Sequence, residues 1–314
     1  MQGLPEDPNL QTAYHVGVEN RVVVVTGAGN GLGRAYALHL AARGARIVVN
    51  NRRRPSDAPG DSSAERTVRE IRLAGGEAVA NFADVRLETS GPQLVAQALD
   101  TWGRLDALIN NAGVGQHSAF HKISVDEFRE IFDLNFYGSL YVTHAAYRHM
   151  RERGYGRIVV SASSAGLHGL HGLSAYSASK AALIGLMRAI AQEGAPRGVL
   201  CNAICPYATT NMTAAHTPAD RSKLMAAELV APMVTYMVSE QTRLNGRIIV
   251  AGKAAFRRAA MVEGEGLGYG SADELTPGSI DRDLDRIMAI DRGCEYPDAL
   301  QAFEHFFQLY QGVN

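Results

Sequence analysis

Tyr176 and Lys180 stand four residues apart, a spacing that puts a phenol and an ammonium on one face of a helix. A cation beside a phenol favours the phenolate and brings its pKa down from about 10 toward the range a general acid or base needs. Thirteen residues before Tyr176 lies Ser163, just past the apolar run Ile158-Val159-Val160, where its hydroxyl can hold a substrate oxygen. Far upstream, Thr26-Gly27-Ala28-Gly29-Asn30-Gly31-Leu32-Gly33 follows the run Val22 to Val25 and opens a helix-like stretch from Arg34 to Arg43. Glycines in that position let the backbone turn sharply and approach a diphosphate, and the positive end of the next helix attracts its charge. The spacing is G-x-x-x-G-x-G on Gly27, Gly31 and Gly33, because Leu32 takes the place where G-x-G-x-x-G needs glycine; the Gly-Lys-Ser/Thr ending of a P-loop is also missing. On the residues alone, a structural turn remains open for the glycines and a chance pairing for Tyr176 and Lys180.

The elements that must position these groups are legible as an alternation. Short β-branched runs recur at Val22 to Val25, Ile47 to Val49, Ala78 to Ala80, Leu108-Ile109, Ile158 to Val160 and Val199 to Ile204, with helical stretches between them. Continuous apolar strands are buried on both faces, so the pattern predicts an α/β fold: a doubly wound parallel sheet between helical layers. Ligands of such sheets bind at the carboxyl edge, where Ser163 falls. Leu183, Leu186, Met187 and Ile190 form one apolar stripe at i, i+3, i+4 and i+7. Phe128, Ile131 and Phe132 begin another whose i+7 member is Asn135, which turns a polar amide toward the packed side. A buried amide bonded to a neighbouring carbonyl is the plain account of it.

Two stretches break the rhythm. Asn51 to Glu65, with Arg52, Arg53, Arg54, Pro55, Pro59 and Gly60, reads as a long polar connection after the second strand. Beyond about Gly252 the alternation stops, and a Gly-rich charged stretch leads to expected helices at Ile280 to Ile290 and Asp298 to Tyr310. The expected organisation is a loosely held N-terminal tail at 1–17, one nucleotide-binding and catalytic domain at 18–252, and a C-terminal extension at 253–314 packed on that domain.

Of 314 residues, 46% are hydrophobic and 20% charged, a balance that supports a large core and excludes disordered and fibrous classes. Lys and Arg number 31 against 32 Asp and Glu, so no net field draws the chain to nucleic acid or anionic membrane. Small molecules and copies of itself are the expected partners. The three cysteines give no paired framework, and neither they nor the histidines (His117, His121, His168, His171, His216) show trusted ligand spacing, so no metal is expected. Met1 to Gln11 shows no secretory leader and no apolar run approaches a membrane span, which points to a soluble, cytoplasmic protein.

Taken together, these residues resemble the short-chain dehydrogenase/reductase family over roughly Val18 to Gly252. Thr26 to Gly33 is similar to its coenzyme motif, Asp84-Val85 to the pair that meets the adenine, and Asn110-Asn111-Ala112-Gly113 to its fourth-strand motif. Asn135, Ser163, Tyr176 and Lys180 are similar to its catalytic tetrad, which gives the inward-pointing Asn135 a reason. The resemblance implies an NAD(P)-dependent oxidoreductase interconverting a secondary alcohol and a ketone. Tyr176 would exchange the proton, Ser163 would bond the same oxygen, Lys180 would grip the nicotinamide ribose, and Asn135 would position a water linking Lys180 to solvent. It further implies coenzyme contacts at Gly27, Asn30, Gly31, Leu32, Gly33, Asn51, Arg52, Asp84, Val85, Asn111, Ala112, Gly113, Tyr176, Lys180, Pro206 and Thr209.

Within the family, the stretch Val23 to Leu38, together with Ala78 to Asn81, Tyr155 to Ile158, Met212-Thr213 and the charged tail, is similar to (3R)-hydroxyacyl-CoA dehydrogenase units. That makes acyl-CoA thioesters, including steroid side-chain thioesters, the leading substrates, with hydroxysteroid or xenobiotic ketone reduction as the alternative and an idle NAD(P)-binding sensor or scaffold as the rival of another class. Two departures matter. Asn51 stands where those units carry an Asp for the ribose diol and is followed by Arg52, Arg53 and Arg54, which leans toward NADP(H), although Asn30 sits where NADP-preferring members often carry a base. Tyr207 replaces the glycine usual after Pro206 and narrows the pocket beneath a lid-like segment from Ala208 to Glu228. A homodimer or homotetramer through the helices bearing Asn135 and Tyr176 is expected from the resemblance.

Overall fold

The computed structural model describes residues 17–209 and 223–309. The N-terminal tail up to residue 16, Met212, Thr213, His216 and most of the lid-like segment, and the last five residues lie outside the described residues.

Eight strands form one sheet in the order β3-β2-β1-β4-β5-β6-β7-β8. They are β1 (Val22–Thr26), β2 (Arg46–Asn50), β3 (Glu77–Asn81), β4 (Ala107–Asn110), β5 (Gly156–Ser161), β6 (Val199–Pro206), β7 (Ile248–Gly252) and β8 (Ala255–Ala259). β1 to β7 pair in parallel, in registers such as Val24 opposite both Val48 and Leu108. Between them run the helices α1 (Gly31–Ala41), α2 (Ser63–Leu73), α3 (Ser90–Trp102), α4 (Val125–Phe132), α5 (Gly138–Arg153), α6 (Ser164–His168), α7 (Ser174–Gly194) and α8 (Ala231–Val238). Val22 to Val25, Ile47 to Val49 and Leu108-Ile109 are all sealed from solvent, as strands covered on both faces must be. The chain leaves β1 toward β2 on one side and reaches β4 on the other, so a crevice opens at the carboxyl ends of β1 and β4.

All six predicted strands are present. Of the two that the alternation did not reveal, β7 ends the expected domain at Gly252 and β8 lies past it. Ile248-Ile249-Val250 is a short apolar run like the others, while β8 is exposed along most of its length and so carries no core signature. The outer strand β3 is blunted by side chains: Arg72 donates twice to the Ala78 carbonyl (3.0 and 2.8 Å) and Gln97 donates to that of Ala80 at 3.0 Å. The polar connection after β2 ends where Ser62 and Glu65 form a reciprocal capping box at the start of α2.

α4 does not pass directly into α5. Asp133–Tyr137 form a single π-helical turn between them, an insertion that shifts the helix face by one residue and recurs at functional positions in other folds.

By its internal contacts the chain divides into two compact units, residues 1–258 and 259–314. In the second, the expected helix at Ile280 to Ile290 is two short ones, α9 (Pro277–Arg282) and α10 (Leu284–Met288), separated at Asp283, and α11 (Ala299–Leu309) follows. Glu263 and Cys294 exchange backbone hydrogen bonds of 3.0 and 2.9 Å in an isolated antiparallel bridge.

Candidate active site

At the switch point, the loops after β1 and β4 are tied together by one threonine and one asparagine. The Thr26 hydroxyl accepts the backbone N–H groups of Asn111 and Ala112 at 3.0 and 3.1 Å. In return the Asn111 side-chain amide donates to the carbonyls of Thr26 (3.1 Å) and Gly27 (3.3 Å). Gly27 and Gly31 take positive φ (64° and 53°), open to glycine without strain. A Cβ on Gly33 would lie 2.4 Å from the Gly27 carbonyl oxygen and one on Gly29 would lie 2.3 Å from Ser63 Oγ, so both contacts need a bare backbone. Asn30 precedes α1 in extended geometry, yet its side chain makes no capping bond and the first turn of α1 holds no acidic residue. The positive helix end is thereby left for an anion. Leu32, partly buried, packs its side chain against the core at the start of α1.

On the adenosine side, the expected residues have separate employments. The Asn51 amide donates to Ser63 Oγ at 2.9 Å. Arg53 is bound to Glu65 (2.8 Å) and lies over the Phe82 ring at 4.0 Å, whereas Arg52 is exposed. Asp84 is chelated by Arg86, and that hydrogen bonding holds its carboxyl below the ordinary carboxylate value despite partial burial. Val85 is buried against the start of α5, where a Cβ on Gly138 would come within 3.0 Å of it.

The catalytic candidates gather at the ends of β4, β5 and β6. Ser163 caps α6, its hydroxyl accepting the Ala165 N–H at 3.1 Å. Burial pushes the Tyr176 phenol above its ordinary pKa, and a hydrogen bond with the Ser163 side chain pulls it part of the way back. Lys180, 4% exposed, donates to the Ser161 carbonyl at 2.6 Å, and burial brings its ammonium down to about 8. Its Nζ is 5.6 Å from the centre of the Tyr176 ring. The expected lowering of the phenol by Lys180 is therefore not what this geometry produces: the ammonium is turned to Ser161, and desolvation of the phenol prevails. Asn135 is fully buried in the π turn, and a Cβ on Gly113 would meet its Oδ1 at 3.0 Å and Lys180 Nζ at 3.4 Å, which brings the three residues into one neighbourhood. Cys205 lies alongside, its thiol pushed up to about 12 by burial and partly restrained by Lys180 and the Ser163 N–H.

Three participants went unrecognised in the sequence. The Asn135 amide donates to Ser179 Oγ at 3.0 Å, and Ser179 Oγ in turn donates to the Tyr176 carbonyl at 2.8 Å. Ser179 sits between the two motif residues of α7, so its helix position was the available signal. Ser161 and Val114 act through backbone atoms, which no side-chain pattern announces. His168 and His171 are exposed on the segment between Ser163 and Tyr176, while His117 packs on Gly172, whose Cβ would fall 2.2 Å from the imidazole. Among the described residues no three His, Cys, Asp or Glu side chains gather as ligands for a metal, and no helix is long and apolar enough to cross a membrane.

The donor set suits a nicotinamide dinucleotide. The bare glycine cradle and uncontested α1 terminus match a diphosphate, and Thr209 Oγ1, just past β6 and buried with no partner among the described residues, is a hydroxyl that a polar ligand atom would satisfy.

Residues 21–221 match the family model described as short chain dehydrogenase. A short-chain type dehydrogenase/reductase of Mycobacterium tuberculosis is 39% identical over 255 residues, covering 81% of this chain and 89% of that protein. Peroxisomal multifunctional enzyme type 2 of Mus musculus is 41% identical over 236 residues, 74% of this chain but only 32% of the mouse protein. The structure of full-length peroxisomal multifunctional enzyme type 2 from Drosophila melanogaster superposes with a TM-score of 0.79 at 32% identity, over 93% of this chain and 50% of that one. The chain thus spans about a third to a half of these multifunctional relatives. With the family pattern matched in sequence, in fold and in the order of its motifs along the sheet edge, this protein belongs to the short-chain dehydrogenase/reductase family and is an oxidoreductase acting on CH–OH groups.

Proposed function

We propose that the protein interconverts 3-hydroxyacyl-CoA and 3-ketoacyl-CoA, using NAD(P)(H). The observation that carries the reading is the convergence of Asn135, Ser163, Tyr176 and Lys180 beside the glycine loop. Its substrate class rests on the likeness to the multifunctional enzymes. Ser163 donates a hydrogen bond to the substrate oxygen as negative charge develops there. Tyr176 delivers its phenolic proton to that oxygen during reduction and takes it back during oxidation. Lys180 would hold a nicotinamide ribose, and its charge beside the phenol would then favour the ionised form. Asn135 positions a water through which Lys180 exchanges protons with solvent. A dinucleotide whose diphosphate rested at the glycine cradle and α1 terminus would supply or accept the hydride; the protein contributes orientation and electrostatics.

For the coenzyme we favour NADP(H). Asn51 is an amide where a carboxylate would repel a 2′-phosphate, and Arg52 is exposed beside it. A homo-oligomer formed through α5 and α7 belongs to the same reading, consistent with the aromatic ladder Phe132, Tyr137 and Tyr141, whose Tyr137 is exposed.

Nicotinamide absorbance with 3-ketodecanoyl-CoA tests the reading, comparing NADH with NADPH and wild type with Tyr176→Phe. Turnover by wild type that falls at least about a thousandfold in the variant, with coenzyme binding retained, supports it. Wild-type turnover of steroid or xenobiotic ketones in place of the thioester would overturn the substrate, and substantial activity in Tyr176→Phe would overturn the mechanism.

A further inference from the structure

We infer that Lys253 and Tyr207 form an anion-binding pair at the rim of the catalytic edge that holds a phosphate of the substrate's CoA handle; this rests on the thioester reading above. Between β7 and β8 the chain turns in two residues, Lys253 and Ala254, both at positive φ (52° and 54°). Hairpin turns with this backbone ordinarily use Asn-Gly, because a Cβ is disfavoured at each position. A sequence that keeps Lys and Ala there has given up an easier solution, and backbone strain of this kind concentrates where ligands are held.

The turn is pressed onto Tyr207. β7 runs parallel to β6, so Gly252 and Tyr207 lie at the same carboxyl edge as Ser163. The Tyr207 N–H donates to the Ala251 carbonyl at 2.7 Å, and a Cβ on Gly252 would come within 2.7 Å of Tyr207 Cβ and 2.8 Å of its carbonyl oxygen. Only a bare Gly252 allows the approach, and Lys253 is the next residue along the chain from that contact. The Tyr207 side chain is 40% exposed and Lys253 is exposed. Among the described residues neither the phenol nor the ammonium has a hydrogen-bond or ion-pair partner. Two unspent donors, one charged, suit phosphate oxygens.

Position selects the kind of anion. β5, which leads to Ser163, and β7 are separated by two strand spacings, roughly 10 Å. An anion there is too far from Ser163 to be the reacting oxygen and must be carried on a tether, as the phosphates of CoA are carried on its pantetheine arm.

The test measures kcat/KM of wild type, Lys253→Gln, Lys253→Asn and Tyr207→Phe on 3-ketodecanoyl-CoA and on the N-acetylcysteamine thioester of the same acyl chain, which lacks phosphate. The preference for the CoA thioester is expected to fall about tenfold in every variant, and in wild type to shrink as salt is added. Asn tolerates the left-handed turn, so loss in Lys253→Asn reports the charge and not a disrupted hairpin. Equal losses on both thioesters, or a preference kept in Lys253→Gln, would overturn the anion pair and leave the thioester reading standing. Wild-type turnover of a steroid ketone and of neither thioester would overturn both.

Discussion

Asn135 grips both backbone groups of Val114. Its Oδ1 accepts the Val114 N–H at 2.8 Å and its Nδ2 donates to the Val114 carbonyl at 3.0 Å, while its own carbonyl accepts the Ser139 hydroxyl at 2.9 Å. The amide thus anchors the loop that leaves β4 to the π turn, and through Ser179 it reaches the helix of Tyr176 and Lys180.

Replacing Asn135 by Ala should therefore cost stability as well as rate. Two backbone groups of Val114 and the Ser179 hydroxyl lose partners in a dry site, a loss of about 2 to 4 kcal/mol in urea unfolding. Asn135→Asp keeps the acceptor for the Val114 N–H but loses the donors, and should be the less stable of the two at neutral pH because it adds a buried charge. Equal stability of wild type and Asn135→Ala would show that the clasp is not maintained in solution.

Lys180 carries a pH signature in stability. Its ammonium titrates at about 8 in the folded protein against an ordinary 10.5, so between these values the unfolded chain binds the extra proton and stability rises with pH. Unfolding free energy measured from pH 8 to 10.5 should rise by about 3 kcal/mol more in wild type than in Lys180→Met, whose side chain fills the space without titrating. Parallel profiles for the two proteins would place the Lys180 pKa near its ordinary value.

Arg52 and Arg53 should separate by function. Arg53 is occupied by Glu65 and Phe82, so Arg53→Ala is expected to lower stability by up to about 1 kcal/mol with little change in coenzyme choice. Arg52→Ala should raise the Kd for NADPH about tenfold relative to that for NADH. A ratio unmoved by Arg52→Ala would remove Arg52 from the coenzyme site.

Much of this protein could be read in its residues. Six of eight strands were visible, five of them because a parallel strand buried on both faces must be apolar throughout, as Val22 to Val25 and Ile158 to Val160 are. Gly27, Gly31 and Gly33, the Tyr176/Lys180 spacing and the misplaced polarity of Asn135 were likewise written in residue type, since each answers a local demand of backbone freedom, helix period or burial. Tertiary structure alone decided which of these groups interact. Thr26 with Asn111, Asn135 with Val114 and Lys180 with Ser161 are contacts across 85, 21 and 19 residues, and each has a backbone atom as one partner. Backbone atoms are the same at every position, so no composition or period marks them out. The protonation tendencies of Tyr176 and Lys180 followed the same rule: adjacency on a helix fixes who is near, but the burial that raises the phenol and lowers the ammonium arises only when the surrounding strands and loops close over them.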